Sequence, residues 1–106
     1  MVKISVQALK AGVVVVAPVG VLDLEASPAL REALQAVLGD GSARLVVDLS
    51  GVETIDSVAL GVLVSGLKSA RKNGGDLRLA RPSDRVKTLL KLAGLDRFFE
   101  SADTAF

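Results

Sequence analysis

The chain contains no cysteine and no histidine. These absences exclude zinc sites of the Cys/His type, thiol catalysis, haem ligation through histidine and a Ser-His-Asp triad. A phosphate-binding loop is also missing, because neither a Lys-Ser/Thr pair nor a helix follows Gly74-Gly75. The carboxylates of the middle region have no spacing typical of a metal site. We therefore expect a protein that is not an enzyme and that holds no cofactor and no metal.

The chain has few aromatic residues and a small net charge. The chain has three Phe, no Trp and no Tyr, and its formal net charge is +1. Nothing in this composition favours binding to nucleic acid or to a membrane surface. The apolar stretch 12–22 is about half the length of the ~20 residues that a membrane helix needs. Since no secretory signal is visible either, we expect a cytoplasmic location.

What the sequence does contain is a core made of aliphatic residues. Half of its 106 residues are apolar, which predicts one globular domain over residues 1–106. Charge is unevenly distributed. The region from Asp23 to Asp56 holds seven acids and two bases, and the region from Lys68 to Arg97 holds nine bases and three acids. This pattern is typical either of solvated helix faces or of a polarised surface that orients a protein partner.

Hydrophobic periodicity divides the chain into alternating strands and helices. The strand predictions are 3–8, 13–17 (ended by Pro18 and Gly20), 44–49, 76–80 and a short last strand at 97–100, with 50–54 as a loop. The helix predictions are one capped by Ser27 with Pro28 first, one over 57–72 that ends at Asn73-Gly74-Gly75, and one opened by Pro82-Ser83-Asp84 and closed by Gly94. The order β-β-α-β-α-β-α-β predicts an α/β fold with a mixed, mainly parallel sheet and helices mostly on one face.

Asp56 and Ser57 stand at the start of the most apolar helix, and each has two interpretations. Either side chain can cap the helix, since its oxygen accepts a bond from a free N–H of the first turn. Alternatively, Ser57 is a phosphorylation site, because a helix N-terminus tolerates the added negative charge. Asp56 would then shape the recognition of Ser57 by a kinase or a partner. A nucleophilic serine is disfavoured, because no Gly-x-Ser-x-Gly motif surrounds it.

Several short motifs, taken in their order and spacing, resemble the STAS family, and within it the bacterial anti-sigma factor antagonists. The resemblance covers nearly the whole chain. It rests on Gly20-Val21-Leu22-Asp23, Asp48-Leu49-Ser50-Gly51-Val52, Ile55-Asp56-Ser57 with Leu60-Gly61-Val62-Leu63, Asn73-Gly74-Gly75, and the segment 86–95. The fold implied is the STAS fold.

The resemblance implies a partner-switching mechanism. In such antagonists the unphosphorylated form binds an anti-sigma factor, which is also a serine kinase, and thereby frees the sigma factor. Phosphorylation of the serine at the position of Ser57 ends this binding, and a serine phosphatase resets the switch. The partner-binding residues implied here are Asp23, Asp56, Ser57, Val58, Leu60 and Gly61. We expect a monomer or a weak dimer.

Two features depart from the family pattern. The family usually follows the serine with a small polar residue and a glycine, where this chain has Val58 and Ala59. The C-terminal helix is also short or absent. A non-switching STAS scaffold, such as a subunit of a lipid-transport complex or of a stressosome, is therefore the alternative. A nucleotide-binding protein is a further one, disfavoured by the missing phosphate loop.

Overall fold

The computed structural model describes residues 2–99, which form five strands and three helices. The strands are β1 (Lys3–Ala8), β2 (Val13–Leu22), β3 (Arg44–Asp48), β4 (Val52–Ile55) and β5 (Asp76–Ala80). The helices are α1 (Ser27–Gly39), α2 (Ser57–Lys72) and α3 (Asp84–Leu92), and a short 3-10 turn (Lys10–Gly12) joins β1 to β2. The predicted bounds of α2 are confirmed, and so is the predicted opening of α3 at Pro82-Ser83-Asp84.

The strands form one mixed sheet in the order β1-β2-β3-β5, with β4 paired to the far end of β2. The β1–β2 hairpin is antiparallel. The other three pairings, β2 with β3, β2 with β4 and β3 with β5, are parallel. The prediction of a mixed, mainly parallel sheet is confirmed.

Strand β2 continues past Pro18 to Leu22, so the prediction that Pro18 and Gly20 end it was wrong. The reason is the break between β3 and β4. Pairing with β3 stops at Val16, and pairing with β4 begins at Gly20. Pro18 lies between these two segments, where no neighbouring strand requires its missing N–H. A proline that would normally end a central strand is therefore accommodated within it.

Two strand predictions differ from the structure. Residues 52–54, predicted as part of a loop, belong to β4 (Val52–Ile55), because their backbone pairs with the far end of β2. Residues 97–99 form a turn and not a strand, and Glu100, the last residue of that predicted strand, lies outside the described residues. A strand of four residues in which only Val52 and Ile55 are buried carries too short an alternation to be recognised from the sequence.

The core lies between one face of the sheet and the helix pair α1–α2. Alternate residues of β2, β3 and β5 are buried there. The backbone of Gly66 on α2 comes so close to α1 and β5 that an added Cβ would lie 3.0 Å from Leu34 Cδ1 and 3.1 Å from Leu77 Cδ1. The opposite face of the sheet is half-buried or exposed, and α3 packs against β4. The expectation of helices mostly on one face is confirmed.

Gly75, which follows α2, is required by a close backbone contact. A Cβ at Gly75 would lie 1.9 Å from the carbonyl oxygen of Ala43, a distance that no side chain can adopt. Next to it, the Asp76 N–H donates to the same Ala43 oxygen at 2.9 Å. The predicted helix end at Asn73-Gly74-Gly75 is confirmed, and Gly75 also lets the end of α2 lie against the start of β3.

Candidate functional site

Two aspartates lie side by side where β2 and β4 end. Leu22 of β2 is paired with Ile55 of β4, and each is followed by an aspartate, Asp23 and Asp56. The Asp56 N–H donates to the Leu22 carbonyl at 2.9 Å, which extends the pairing by one residue. The carboxyl ends of parallel strands are the usual location of sites in open α/β sheets. The structure therefore brings together two acids that are 33 residues apart in the chain.

Asp56 is the N-cap of α2. Its backbone is extended (φ −101°, ψ 177°), and its Oδ1 accepts a hydrogen bond of 2.9 Å from the Ala59 N–H. This satisfies one of the N–H groups that the first helical turn leaves unpaired. The interpretation of Asp56 as a helix cap is confirmed. Its side chain is half-buried, and one of its two carboxylate oxygens is occupied by the hydrogen bond from Ala59.

Ser57 is the first residue of α2, and its side chain is exposed. Within residues 2–99 its hydroxyl has no hydrogen-bond partner, because the capping position is taken by Asp56. Capping therefore does not explain this serine. The hydroxyl stands free at the positive end of a helix dipole, where a phosphate could be added without burying charge.

Asp23 forms a turn that leads into α1. Its Oδ1 accepts from the Ala26 N–H at 3.1 Å, and its carbonyl oxygen accepts from the Ser27 N–H at 3.0 Å. The Ser27 hydroxyl donates to the same carbonyl at 2.8 Å. The prediction that Ser27 caps α1 was wrong: the helix already includes Ser27, whose side chain is buried and donates backwards. No side chain caps α1, whose N-cap is Ala26, and Asp23 instead closes the turn that precedes the helix.

The other residues predicted for partner binding separate into surface and core. Val58 is 42% exposed and Gly61 is exposed, with open space where a Cβ would stand. Leu60 is 6% exposed and belongs to the hydrophobic core. It is not available to a partner, because its position in the first turn of α2 faces the sheet. Leu60 therefore packs in the core beneath the exposed Val58 and Gly61.

Exposed apolar residues near the two aspartates were not identified from the sequence. Leu24, directly after Asp23, is 66% exposed, and Val21, directly before the end of β2, is 38% exposed. With Val58 they give the acidic site an apolar component. Val21 could have been recognised as the residue that alternates with buried Leu22. Leu24 could not, because its exposure depends on the turn that Asp23 closes.

A shallow depression lies beside Asp23. Its lining combines apolar residues with two acids: Val2, Val21, Asp23, Glu25, Ala26 and Ala29. Among residues 2–99, no three acidic side chains are grouped closely enough to hold a metal ion. The depression therefore offers acidic and apolar contacts side by side.

A third aspartate, Asp48, ends β3 and has a different environment. Its Oδ1 accepts from the Ser50 N–H at 3.0 Å, and its Oδ2 pairs with the guanidinium of Arg81. Burial raises the pKa of Asp48, but the hydrogen bonds from Ser50 and Arg81 outweigh it, so the pKa lies below its ordinary value of 3.8. Asp48 is thus held in its charged form by structural partners.

No helix within residues 2–99 is both long enough and apolar enough to cross a membrane.

Comparison with known proteins identifies relatives of this arrangement. Residues 6–105 match the family model described as STAS domain. An anti-sigma-B factor antagonist of Staphylococcus aureus is 36% identical over 76 residues, which are 72% of this chain and 70% of that protein. A Thermotoga maritima protein named as an anti-sigma factor antagonist is 42% identical over 67 residues; the match spans 63% of this chain and only 59% of that protein.

Solved structures agree with these relatives. The crystal structure of an anti-sigma factor antagonist from Mycobacterium paratuberculosis superposes with a TM-score of 0.86 at 32% sequence identity. The superposition covers 98% of this chain and 87% of that one. The arrangement of five strands and three helices is therefore shared along nearly the whole chain.

Proposed function

This chain belongs to the STAS domain family, and on that premise we propose that it is an anti-sigma factor antagonist regulated at Ser57. In this proposal the unphosphorylated protein binds an anti-sigma factor that is also a serine kinase, and so frees a sigma factor in the cytoplasm. Phosphorylation of Ser57 ends the binding, and a serine phosphatase restores it. The protein acts by binding and not by catalysis. The observation that carries the proposal is the free, exposed hydroxyl of Ser57 beside the capping carboxylate of Asp56.

The position of Ser57 supports a switch that leaves the fold intact. A phosphate adds about 1.5 to 2 negative charges at pH 7. At the start of α2 these charges meet the positive end of the helix dipole, which favours them. Because the side chain is exposed, the phosphate stays in water and displaces no core residue. The structural cost of modification at this position is therefore small.

The same phosphate would strongly affect a bound partner. Asp56 adjoins Ser57, and Asp23 follows the neighbouring strand, so the surface already carries negative charge. A partner that fits it must offer basic groups to these acids and apolar groups to Val58 and Leu24, both exposed. Phosphorylation would add charge and bulk at the centre of that contact. The phosphate would also have to lose water against the apolar Val58 and Leu24, which is unfavourable. We expect it to weaken binding.

The proposal is tested by incubating the protein with its anti-sigma factor kinase and ATP and measuring intact mass. We expect one added phosphate in the natural protein and none in Ser57→Ala. Ser50→Ala is the matched control, since Ser50 is also exposed and lies on a neighbouring loop. It should accept phosphate as the natural protein does. Phosphate retained by Ser57→Ala, or absent from the natural protein, would contradict the proposed switch.

A non-switching STAS scaffold is the second candidate, and Val58 favours it. This valine is 42% exposed directly beside the hydroxyl, where the family more often has a small polar residue. Its branched side chain adds bulk next to the hydroxyl that a kinase would have to reach. Isolation of the protein with its natural partners distinguishes the two functions. Recovery of transporter or scaffold subunits without a kinase would favour the scaffold.

A further inference from the structure

Strand β1 forms an open edge of the sheet. Within residues 2–99 it pairs with β2 on one side and with no strand on the other. Proteins usually protect such edges with charges, prolines or bulges, because unpaired backbone groups invite another strand. From Lys3 to Ala8 the only charged residue is Lys3, and there is no proline. Five of the six residues are exposed.

The register of the hairpin identifies the backbone groups that point outwards. The Leu9 N–H donates to the Val13 carbonyl at 2.7 Å, which places Leu9 and Val13 at a hydrogen-bonded position of the hairpin. Hydrogen-bonded and non-hydrogen-bonded pairs alternate along antiparallel strands. The pairs Ile4–Pro18, Val6–Val16 and Ala8–Val14 are therefore of the other kind. Pro18, which has no N–H, fits this assignment. Ile4, Val6 and Ala8 direct their N–H and C=O groups away from β2.

Apolar side chains accompany these outward groups. Val6, at the middle of the strand, is 52% exposed. Val6 shares a face of the sheet with its partner Val16, which is fully buried. The core-facing side of β1 is therefore apolar up to the edge of the domain and stops there uncovered.

We infer that a second copy of this chain pairs with β1, antiparallel, about a two-fold axis at Val6. In this register Val6 faces Val6 of the partner subunit, and Ile4 faces Ala8 of the partner subunit. Residues with outward backbone groups thus meet residues of the same kind, as hydrogen bonding requires. The side chains keep to the same face of a sheet that continues through both copies. The contact is isologous and closes on itself.

The charges of the strand favour a second copy in this register. Lys3 faces Leu9 of the partner subunit and not another lysine, so no like charges are opposed. The net charge of +1 per chain adds little repulsion between copies. Ser57 follows β4, which lies on the other side of β2 from β1. Pairing through β1 therefore leaves Ser57 exposed, and the inference does not depend on the proposed function.

Cysteine cross-linking tests the register, because the natural chain has no cysteine. In the proposed dimer the two copies of residue 6 have Cα atoms roughly 5.5 Å apart, within the range of a disulfide. Under mild oxidation we expect Val6→Cys to form a covalent dimer at least tenfold faster than Val19→Cys. Val19 is the matched control, since it is equally exposed (53%) but lies on β2, away from the axis. Equal rates would overturn the inference.

A charge exchange tests the same contact at equilibrium. Analytical ultracentrifugation of the natural protein should show a concentration-dependent dimer. Val6→Lys and Val6→Asp should each raise the dissociation constant at least tenfold, because like charges then face each other at the axis. Their mixture should restore dimers, and circular dichroism should show both variants folded. A natural protein that is monomeric at all concentrations, or a dimer unchanged by Val6→Lys, would overturn the inference.

Discussion

The starts of α1 and α2 use the same two residue types, an aspartate and a serine, but leave the serines in opposite environments. At α2, Asp56 caps the helix from the position before Ser57, and the hydroxyl is exposed and unpaired within residues 2–99. At α1, Asp23 stands four residues before Ser27, whose hydroxyl is buried and donates to the Asp23 carbonyl. The spacing between acid and serine decides which hydroxyl is exposed and which is buried.

The difference separates a structural serine from a candidate regulatory one. At α2 the Asp56 side chain caps the helix by accepting from the Ala59 N–H, whereas at α1 the Asp23 side chain closes the preceding turn by accepting from the Ala26 N–H. Where the serine follows at once, it is turned to solvent on the first turn. Where three residues separate Asp23 from Ser27, the turn brings the Ser27 hydroxyl back to the Asp23 carbonyl. A serine near a helix start is therefore informative only together with the position of its acid.

The largest expected effect is a difference between two glutamate substitutions. Ser27→Glu places a charge at a buried position (3% exposed) and removes the bond to Asp23, so we expect a loss of about 3 kcal/mol in the free energy of unfolding. Ser57→Glu should change it by less than about 0.5 kcal/mol, because the charge is exposed at a helix N-terminus. Urea unfolding measures both. Similar losses in the two variants would break the comparison.

The helix-capping Asp56 and the turn-forming Asp23 should differ by a smaller amount. Asp56→Ala removes the bond from Ala59 and should cost about 1 kcal/mol of stability. Asp23→Ala should cost about half as much, roughly 0.5 kcal/mol, since the backbone carbonyl of Asp23 keeps its bonds from Ser27. Thermal and urea unfolding provide the measurement, and the asparagine variants, which retain the acceptor oxygen, are the controls. A larger loss for Asp23→Ala would show that its carboxylate dominates the turn.

The smallest effect concerns Asp48, the third aspartate at a strand end, which has an ion-pair partner. Its folded pKa lies below 3.8, so its contribution to stability is present above the unfolded pKa and is lost as pH falls through the folded value. Asp48→Asn should therefore destabilise the protein at pH 7 and progressively less as pH falls below 3.8. We expect less than about 1 kcal/mol, because Arg81 is exposed.

Urea unfolding across this pH range measures the effect of Asp48→Asn. The control is Asp40→Asn, since Asp40 is exposed at the end of α1 and has no ion pair within residues 2–99. A destabilisation by Asp48→Asn that stays constant with pH would show that the pair with Arg81 contributes nothing.

The elements predictable from the sequence were those with strong local signals. The helix 57–72 combines an apolar first half, a preceding acid and a closing Asn-Gly-Gly, and its bounds were predicted correctly. Helix α3 begins at the predicted Pro82-Ser83-Asp84 opening, where Ser83 caps it by accepting from the Val86 N–H at 3.2 Å. These signals depend on residues within a few positions of one another, which a sequence displays directly.

The elements that were missed depend on distant pairing. Strand β4 exists because Gly20, Val21 and Leu22 provide a partner edge for it, and β2 passes Pro18 because its neighbours leave a gap there. Nothing close in sequence to Val52 or Pro18 announces either fact. Likewise, the bond from the Ala26 N–H to Asp23 depends on a turn whose geometry became clear only with α1 in place.

By itself, the sequence determined the α/β class, the limits of α2, the absence of Cys and His chemistry, and the presence of an acid beside a serine at a helix start. Only the tertiary structure decided that Ser57 is exposed, that Leu60 is buried, and that Asp23 lies next to Asp56. The physical reason is the range of the interactions. Capping and periodicity act within one or two turns, whereas exposure and proximity follow from strands paired across more than thirty residues.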